Sequence, residues 1–199
     1  MPVISSEFFK SGNMRSQFFL LLVLTAPSLF GQSGGTAKAP APNYLNQVYY
    51  YKGDSLLALG RTDGRLENKM KALGFAGSQS GYYLEGTRSA MRIRTTDTMR
   101  FIVKLAGGMM DPSMLLQLYR FDSKKDYRMA LISSHSRFGG EDKIKNVVHI
   151  DIQKSGADAF ILIPSEKLVP GEYGFLNKMA LNQSGTNISY TFYDFGVDP

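Results

Sequence analysis

The stretch from Ala159 to Pro199, AFILIPSEKLVPGEYGFLNKMALNQSGTNISYTFYDFGVDP, constrains this chain more than any other. Phe160-Ile161-Leu162-Ile163 is a short apolar run stopped by Pro164. Pro170-Gly171 is a turn dipeptide that feeds Tyr173 and Phe175 onto one face of a second strand. From Ile188 to Val197 polar and aromatic residues alternate, with one phase slip between Phe192 and Tyr193 that a bulge would absorb. A period of two is wrong for a helix and too regular for a loop, so three strands are expected here.

The other end has a different character. Lys10 and Arg15 precede Phe18-Phe19-Leu20-Leu21-Leu22-Val23-Leu24, which breaks at Pro27 and reaches Gly31. A basic start, a short apolar run and a small residue at the cut are the layout of an export leader, expected over residues 1–31. The run is too short for a membrane span, which needs about 20 apolar residues. Residues 32–43 (QSGGTAKAPAPN) are small, Pro/Gly-rich and aperiodic, and read as a flexible spacer. Residues 44–199 remain for one domain, long enough to bury a core without staples. The chain has no cysteine, which excludes disulfides, a thiol nucleophile and a Cys-type zinc site. Its formal charge of +6 is modest and spread along the chain, so no nucleic-acid partner is expected.

Strand signals recur along the middle. Val48 to Tyr51 and Leu56 to Leu59 flank a turn at Lys52-Gly53-Asp54, and Arg61-Thr62-Asp63-Gly64 reads as a second turn. Arg65 to Leu73 fits either state: Leu66, Met70 and Leu73 share a helical face, while Arg65, Glu67, Lys69 and Lys71 share a strand face. The surroundings favour strand. A loop at Gly77–Gly81 precedes Tyr82–Glu85. Met91 and Ile93 alternate with Arg92 and Arg94, as in a sheet with one wet face. Arg100–Leu105, Leu115–Phe121, Arg128–Ser133 and Asn146–Gln153 follow, with loops at Asp111-Pro112 and His135–Lys145. About ten short strands and at most one short helix predict an all-β fold. The expected form is an antiparallel β-sandwich, Ig-like or jelly-roll-like, with a closed barrel as the other solution for such spacing. An outer-membrane barrel fits poorly, because Lys104, Arg120 and Asp151 interrupt runs already short for spanning.

Chemistry-bearing residues are sparse. His149 and Asp151 stand two apart in a strand and share a face, while His135 lies among Ser133, Ser134 and Ser136. These three are the candidates for hydrolytic or metal-dependent catalysis, though no nucleophile motif or zinc motif brings them together. For binding, Tyr49, Tyr51 and Tyr83, within a wider set of Tyr50, Tyr82, Tyr190 and Tyr193, offer rings for a glycan platform. Arg92 and Arg94, with Arg88, Arg100, Lys124, Lys125 and Arg128, offer a basic face. No calcium loop and no phosphate-cradling loop is present, and no cofactor is expected.

Pro170-Gly171-Glu172-Tyr173-Gly174-Phe175, followed by Phe195-Gly196-Val197-Asp198, resembles the ending of an uncharacterised family of exported bacterial proteins. Leu84-Glu85-Gly86 with Ser89, Phe101-Ile102-Val103 and Asp111-Pro112 are similar to the middle of such proteins. The resemblance implies a β-sandwich of unknown role and carries over no catalytic residue. The expectation is a periplasmic or secreted non-enzymatic domain that binds an envelope protein or glycan.

Overall fold

The structure is a computed structural model that describes residues 40–70, 77–106, 111–135, 146–184 and 187–199. The expected leader, most of the expected spacer and residues 136–145 lie outside the described residues. The described chain is almost entirely antiparallel β-structure, with thirteen strands and one short helix. Two sheets form. The first orders β10 (Ile150–Lys154), β11 (Ala159–Pro164), β6 (Phe101–Lys104), β1 (Val48–Lys52) and β2 (Ser55–Ala58). In the second, β12 (Gly171–Ser184), β13 (Asn187–Asp198), β3 (Gly60–Met70), β4 (Ser78–Glu85), β8 (Tyr127–His135) and β7 (Leu116–Ser123) follow in that order, and β7 pairs back onto β12.

That last pairing closes six strands into a barrel, with β9 (Val147–Val148) added on β7 and β5 (Arg92–Arg94) added parallel to β13. The all-β expectation holds, but one of the two sheets closes on itself instead of remaining an open sandwich layer. The reason lies in β12, which is paired on both edges: Glu172 to Asn177 face β7 and Gly171 to Leu176 face β13.

The alternating pattern now has its explanation. Tyr190, Phe192 and Asp194 face the barrel interior, while Tyr193, Phe195 and Val197 face the five-stranded sheet. Both faces of β13 are buried, so the aromatic run needs no phase slip. The register shift expected between Phe192 and Tyr193 falls instead between Leu176 and Leu181, opposite Phe192 and Tyr190. The main core lies between sheet and barrel, with Val48, Tyr50, Phe101, Val103, Phe160 and Leu162 meeting Tyr173, Phe175, Phe195 and Val197. Tyr173 stacks on Phe195 at 5.6 Å between ring centroids, and Phe101 meets Phe195 at 4.7 Å.

A six-stranded barrel is narrow, and its interior must mix large and small side chains. Phe192 sits at the centre among Tyr82, Tyr119 and Phe121, with Leu84, Ala130 and Leu176 around them. Gly64 makes room for it: a Cβ there would lie 2.7 Å from Phe192 Cε2. Gly174 does the same beneath Phe121, where a Cβ would come within 3.0 Å. Burial pushes the Tyr82 hydroxyl up to about 12, with Tyr119 and Tyr190 adding to the shift.

Several local expectations change because strand pairing to distant segments overrides local turn chemistry. Arg61–Gly64 is not a turn but part of β3, paired to β13 throughout and to β4 from Gly64 onward. Gly77–Gly81 is not a loop, since Ser78 begins β4 and only Gly77, at φ 98°, keeps a turn conformation. Arg65–Met70 is strand, with 71–73 outside the described residues. Asn146–Gln153 divides at His149, where the chain crosses from barrel to sheet. His135 is not a loop residue but the last of β8. The short helix α1 (Pro112–Leu115) follows Asp111, whose side chain accepts from Ser113 N at 2.9 Å and caps it. The Gly53 turn and the three C-terminal strands stand as expected.

Candidate binding surface

β5 is a three-residue strand, too short to hold its place by pairing alone, and a charged clamp fixes it. Its Ile93 is buried in the core, and its Arg92 lies flat across Gly196 of β13. A Cβ at position 196 would sit 1.5 Å from Arg92 Nη1, so only glycine admits the guanidinium. Arg92 Nε and Nη2 donate to Asp198 at 3.1 and 2.5 Å, and Nη1 donates to Glu172 Oε1 at 2.5 Å. Glu172 Oε2 accepts from Ser89 N at 2.7 Å and lies 3.5 Å from Arg128 Nη1. Arg128 in turn donates to Asp194 Oδ2 at 2.7 Å and to Gly86 O at 3.1 Å, while Thr62 Oγ1 donates to Asp194 Oδ1 at 2.9 Å.

Arg128, Asp194 and Glu172 are 2%, 3% and 5% exposed, so this chain of charges closes the barrel end in low dielectric. Every carboxylate in it is already engaged by a cation or a donor. The arrangement is a fastening, with no free base or nucleophile.

The Arg92 hydrogen bonds hold the Asp198 carboxyl below the ordinary carboxylate range. A depressed native value makes this contribution complete above the unfolded value and lost as pH falls through the native one. The stability gap between wild type and Arg92→Met is therefore expected to narrow as pH drops below about 3.9. Gly196→Ala is expected to reproduce that behaviour by evicting the guanidinium. Urea unfolding across pH checks both; a gap that stays constant with pH would contradict the pairing.

From β5 the chain turns into the segment Thr95–Arg100, which the clamp anchors. Thr95 N donates to Asp198 O at 2.8 Å, Asp97 N to Arg94 O at 3.0 Å, and Tyr51 N to Arg100 O at 2.8 Å. Lys52 Nζ meets Asp97 Oδ2 at 3.1 Å. The segment forms a ridge between two open grooves of about 560 and 490 Å³. One groove is bounded by Tyr51, Lys52 and Asp54, the other by Ser165, Glu166 and Lys167. Thr96, Asp97, Thr98 and Arg100 belong to both. Thr96, Thr98 and Arg100 are exposed, and among the described residues no side-chain hydrogen bond occupies them.

A third groove, about 480 Å³, runs along the barrel flank over Tyr83 and Tyr127. Both arginines that line it, Arg61 and Arg65, are already engaged. Arg65 pairs with Glu67, Arg61 donates to Gln47 at 2.9 Å, and Lys69 Nζ sits 4.1 Å from the Tyr83 ring centroid.

The residues singled out by sequence now take places. Tyr83 is no platform, being 4% exposed beneath Lys69, and Tyr49 is buried with Ile102 and Ala159 on the sheet's far side. Tyr51 remains half-exposed at the ridge. Arg92 and Arg128 leave the basic face for the clamp, Arg128 buried and Arg92 half-buried, while Arg94 stays exposed. His149 and Asp151 are exposed to either side of half-buried Ile150, but His149 stands in the break between β9 and β10 and does not share a strand with Asp151. Among the described residues no group of three His, Asp or Glu converges as a metal centre would need. Sequence reasoning missed Glu172, Asp194 and Asp198. The available signal was a carboxylate set among aromatics in strands destined to be buried, where charge must find a partner. No described helix is long and apolar enough to cross a membrane. Comparison with known proteins finds no matching protein family, no similar curated protein and no matching solved structure.

Proposed function

We propose that the chain is an exported, non-catalytic binding domain that holds a component of the bacterial cell envelope on the ridge Thr95–Arg100. The observation that carries this reading is a ridge fixed by backbone bonds and an ion pair, with unengaged polar side chains on both sides. Rigid scaffolds presenting polar loops are where binding residues concentrate. The leader layout at residues 1–31 supports export, to the periplasm or beyond the cell. The packing of a five-stranded sheet on one barrel flank supports reading the fold as a sandwich in which one layer has closed.

Pull-down from an envelope extract tests the reading. Retention of a component by wild type, with loss in Asp97→Asn combined with Thr98→Val, is the expected result. Equal retention by that variant would move the site elsewhere. A metal ion bound by the purified protein and lost in His149→Ala would favour a hydrolytic role for His149 and Asp151 instead.

A further inference from the structure

We infer that the ligand of this ridge is a neutral polyhydroxylated chain, a glycan of at least two sugar units lying across both grooves. The inference rests on the reading that the ridge is the binding site, and adds the chemistry of what it takes. Charge decides the first point. The two grooves carry Lys52, Arg100 and Lys167 against Asp54, Asp97 and Glu166, three of each sign. A balanced lining produces little net field, so an anionic or cationic ligand has no electrostatic reason to prefer it.

The mixture suits hydroxyls. A sugar hydroxyl both donates and accepts, and the ridge offers both roles side by side: the Thr96 and Thr98 hydroxyls, the Asp97 carboxylate as acceptor and the Arg100 guanidinium as donor. Half-exposed Tyr51 at the edge supplies the apolar face against which the C–H side of a sugar ring packs.

Size decides the second point. Each groove falls within the range of ligand sites, about 300–1,000 Å³. The two share the ridge residues, so a ligand that engages Thr96, Asp97 and Thr98 from one side continues naturally over to the other. The ridge is preorganised by its bonds to Asp198, Tyr51 and Lys52, which lowers the ordering cost of binding a flexible chain.

The test is a titration of the isotope-labelled protein, followed by backbone amide shifts, with neutral tetrasaccharides of glucose and of N-acetylglucosamine. The corresponding monosaccharides and an oligogalacturonate serve as comparisons. The expected result is saturable shifts at residues 50–54, 95–100 and 163–168 with at least one tetrasaccharide. Its monosaccharide should bind about tenfold more weakly, and Asp97→Asn or Thr98→Val should each weaken the tetrasaccharide by about tenfold, the worth of one good hydrogen bond. The Thr98→Val thermal midpoint should match wild type, while Asp97→Asn, which gives up the exposed Lys52 ion pair, should fall by no more than about 3 °C.

No shift with any neutral tetrasaccharide, or preference for the oligogalacturonate, overturns the inference. If sugars fail but an envelope protein is captured and lost in the ridge variant, the glycan is wrong and the ridge stands as the site. If the ridge variant changes neither sugar binding nor capture, both readings fall.

Discussion

Arg128→Met is expected to lower the free energy of unfolding by about 3–5 kcal/mol, the cost of stranding buried charge. For a chain of this size that corresponds to a fall in thermal midpoint on the order of 10 °C. Arg128 faces the barrel interior, and among the described residues its loss leaves Asp194 with only the Thr62 hydroxyl. Glu172 would fare better, since Arg92 and the Ser89 amide still hold it. The larger damage therefore falls on Asp194, and removing that charge as well should repair it. Arg128→Met with Asp194→Leu is expected to recover part of the loss, because an apolar pair costs less than a lone carboxylate. Denaturant unfolding of the two single variants and the double variant checks this. A loss below about 1 kcal/mol for Arg128→Met would place the pair in the class of solvent-exposed ion pairs.

Phe192→Ala is expected to be comparably severe, at about 3–5 kcal/mol, since it empties the centre of the barrel. The ring is fully buried, with centroids of Tyr82 and Phe121 at 5.3 and 5.5 Å. Gly64 lies diagonally across the strand pair, two residues on from Phe192's register partner Thr62, and the ring fills the space a Cβ at Gly64 would need. Gly64→Ala alone is thus expected to cost about 1–3 kcal/mol by overpacking. In the Phe192→Ala background the same change should cost little or even help, so the two effects should not add. Additive losses would show that Gly64 is needed for its backbone and not for the space beside it.

How much of this could be read from the residues follows from what each signal depends on. The period of two in Ala159–Pro199 is local, and β11, β12 and β13 appeared where it placed them. Barrel closure is a pairing between β7 and β12, some fifty residues apart, and no local pattern announces it. Gly64 and Gly81 read as turn residues because glycine serves turns and close packing alike. Only the position of Phe192 and of the Ala130 carbonyl, which a Cβ at 81 would approach within 2.9 Å, separates the two uses. The Arg92/Arg94 alternation correctly gave one inward and one outward face, but β5 lies against Gly196, so its outer face is half covered. The tyrosines illustrate the same limit. Tyr49, Tyr51 and Tyr83 are alike in sequence, and tertiary packing alone buries two and leaves Tyr51 partly open. The ridge was invisible because Thr95–Arg100 carries no motif; its character comes from the neighbours that anchor it.

Pairing of β12 along both edges is what closes the barrel, and closure buries the Arg128–Asp194 pair and fixes β13, which carries the clamp to the ridge. Amide hydrogen exchange by NMR over Glu172–Leu176 tests it most directly. In a closed barrel consecutive amides, pointing alternately to β13 and to β7, all exchange slowly. Slow exchange at every second residue only, with fast exchange on the side facing β7, would show an open edge there and contradict the barrel.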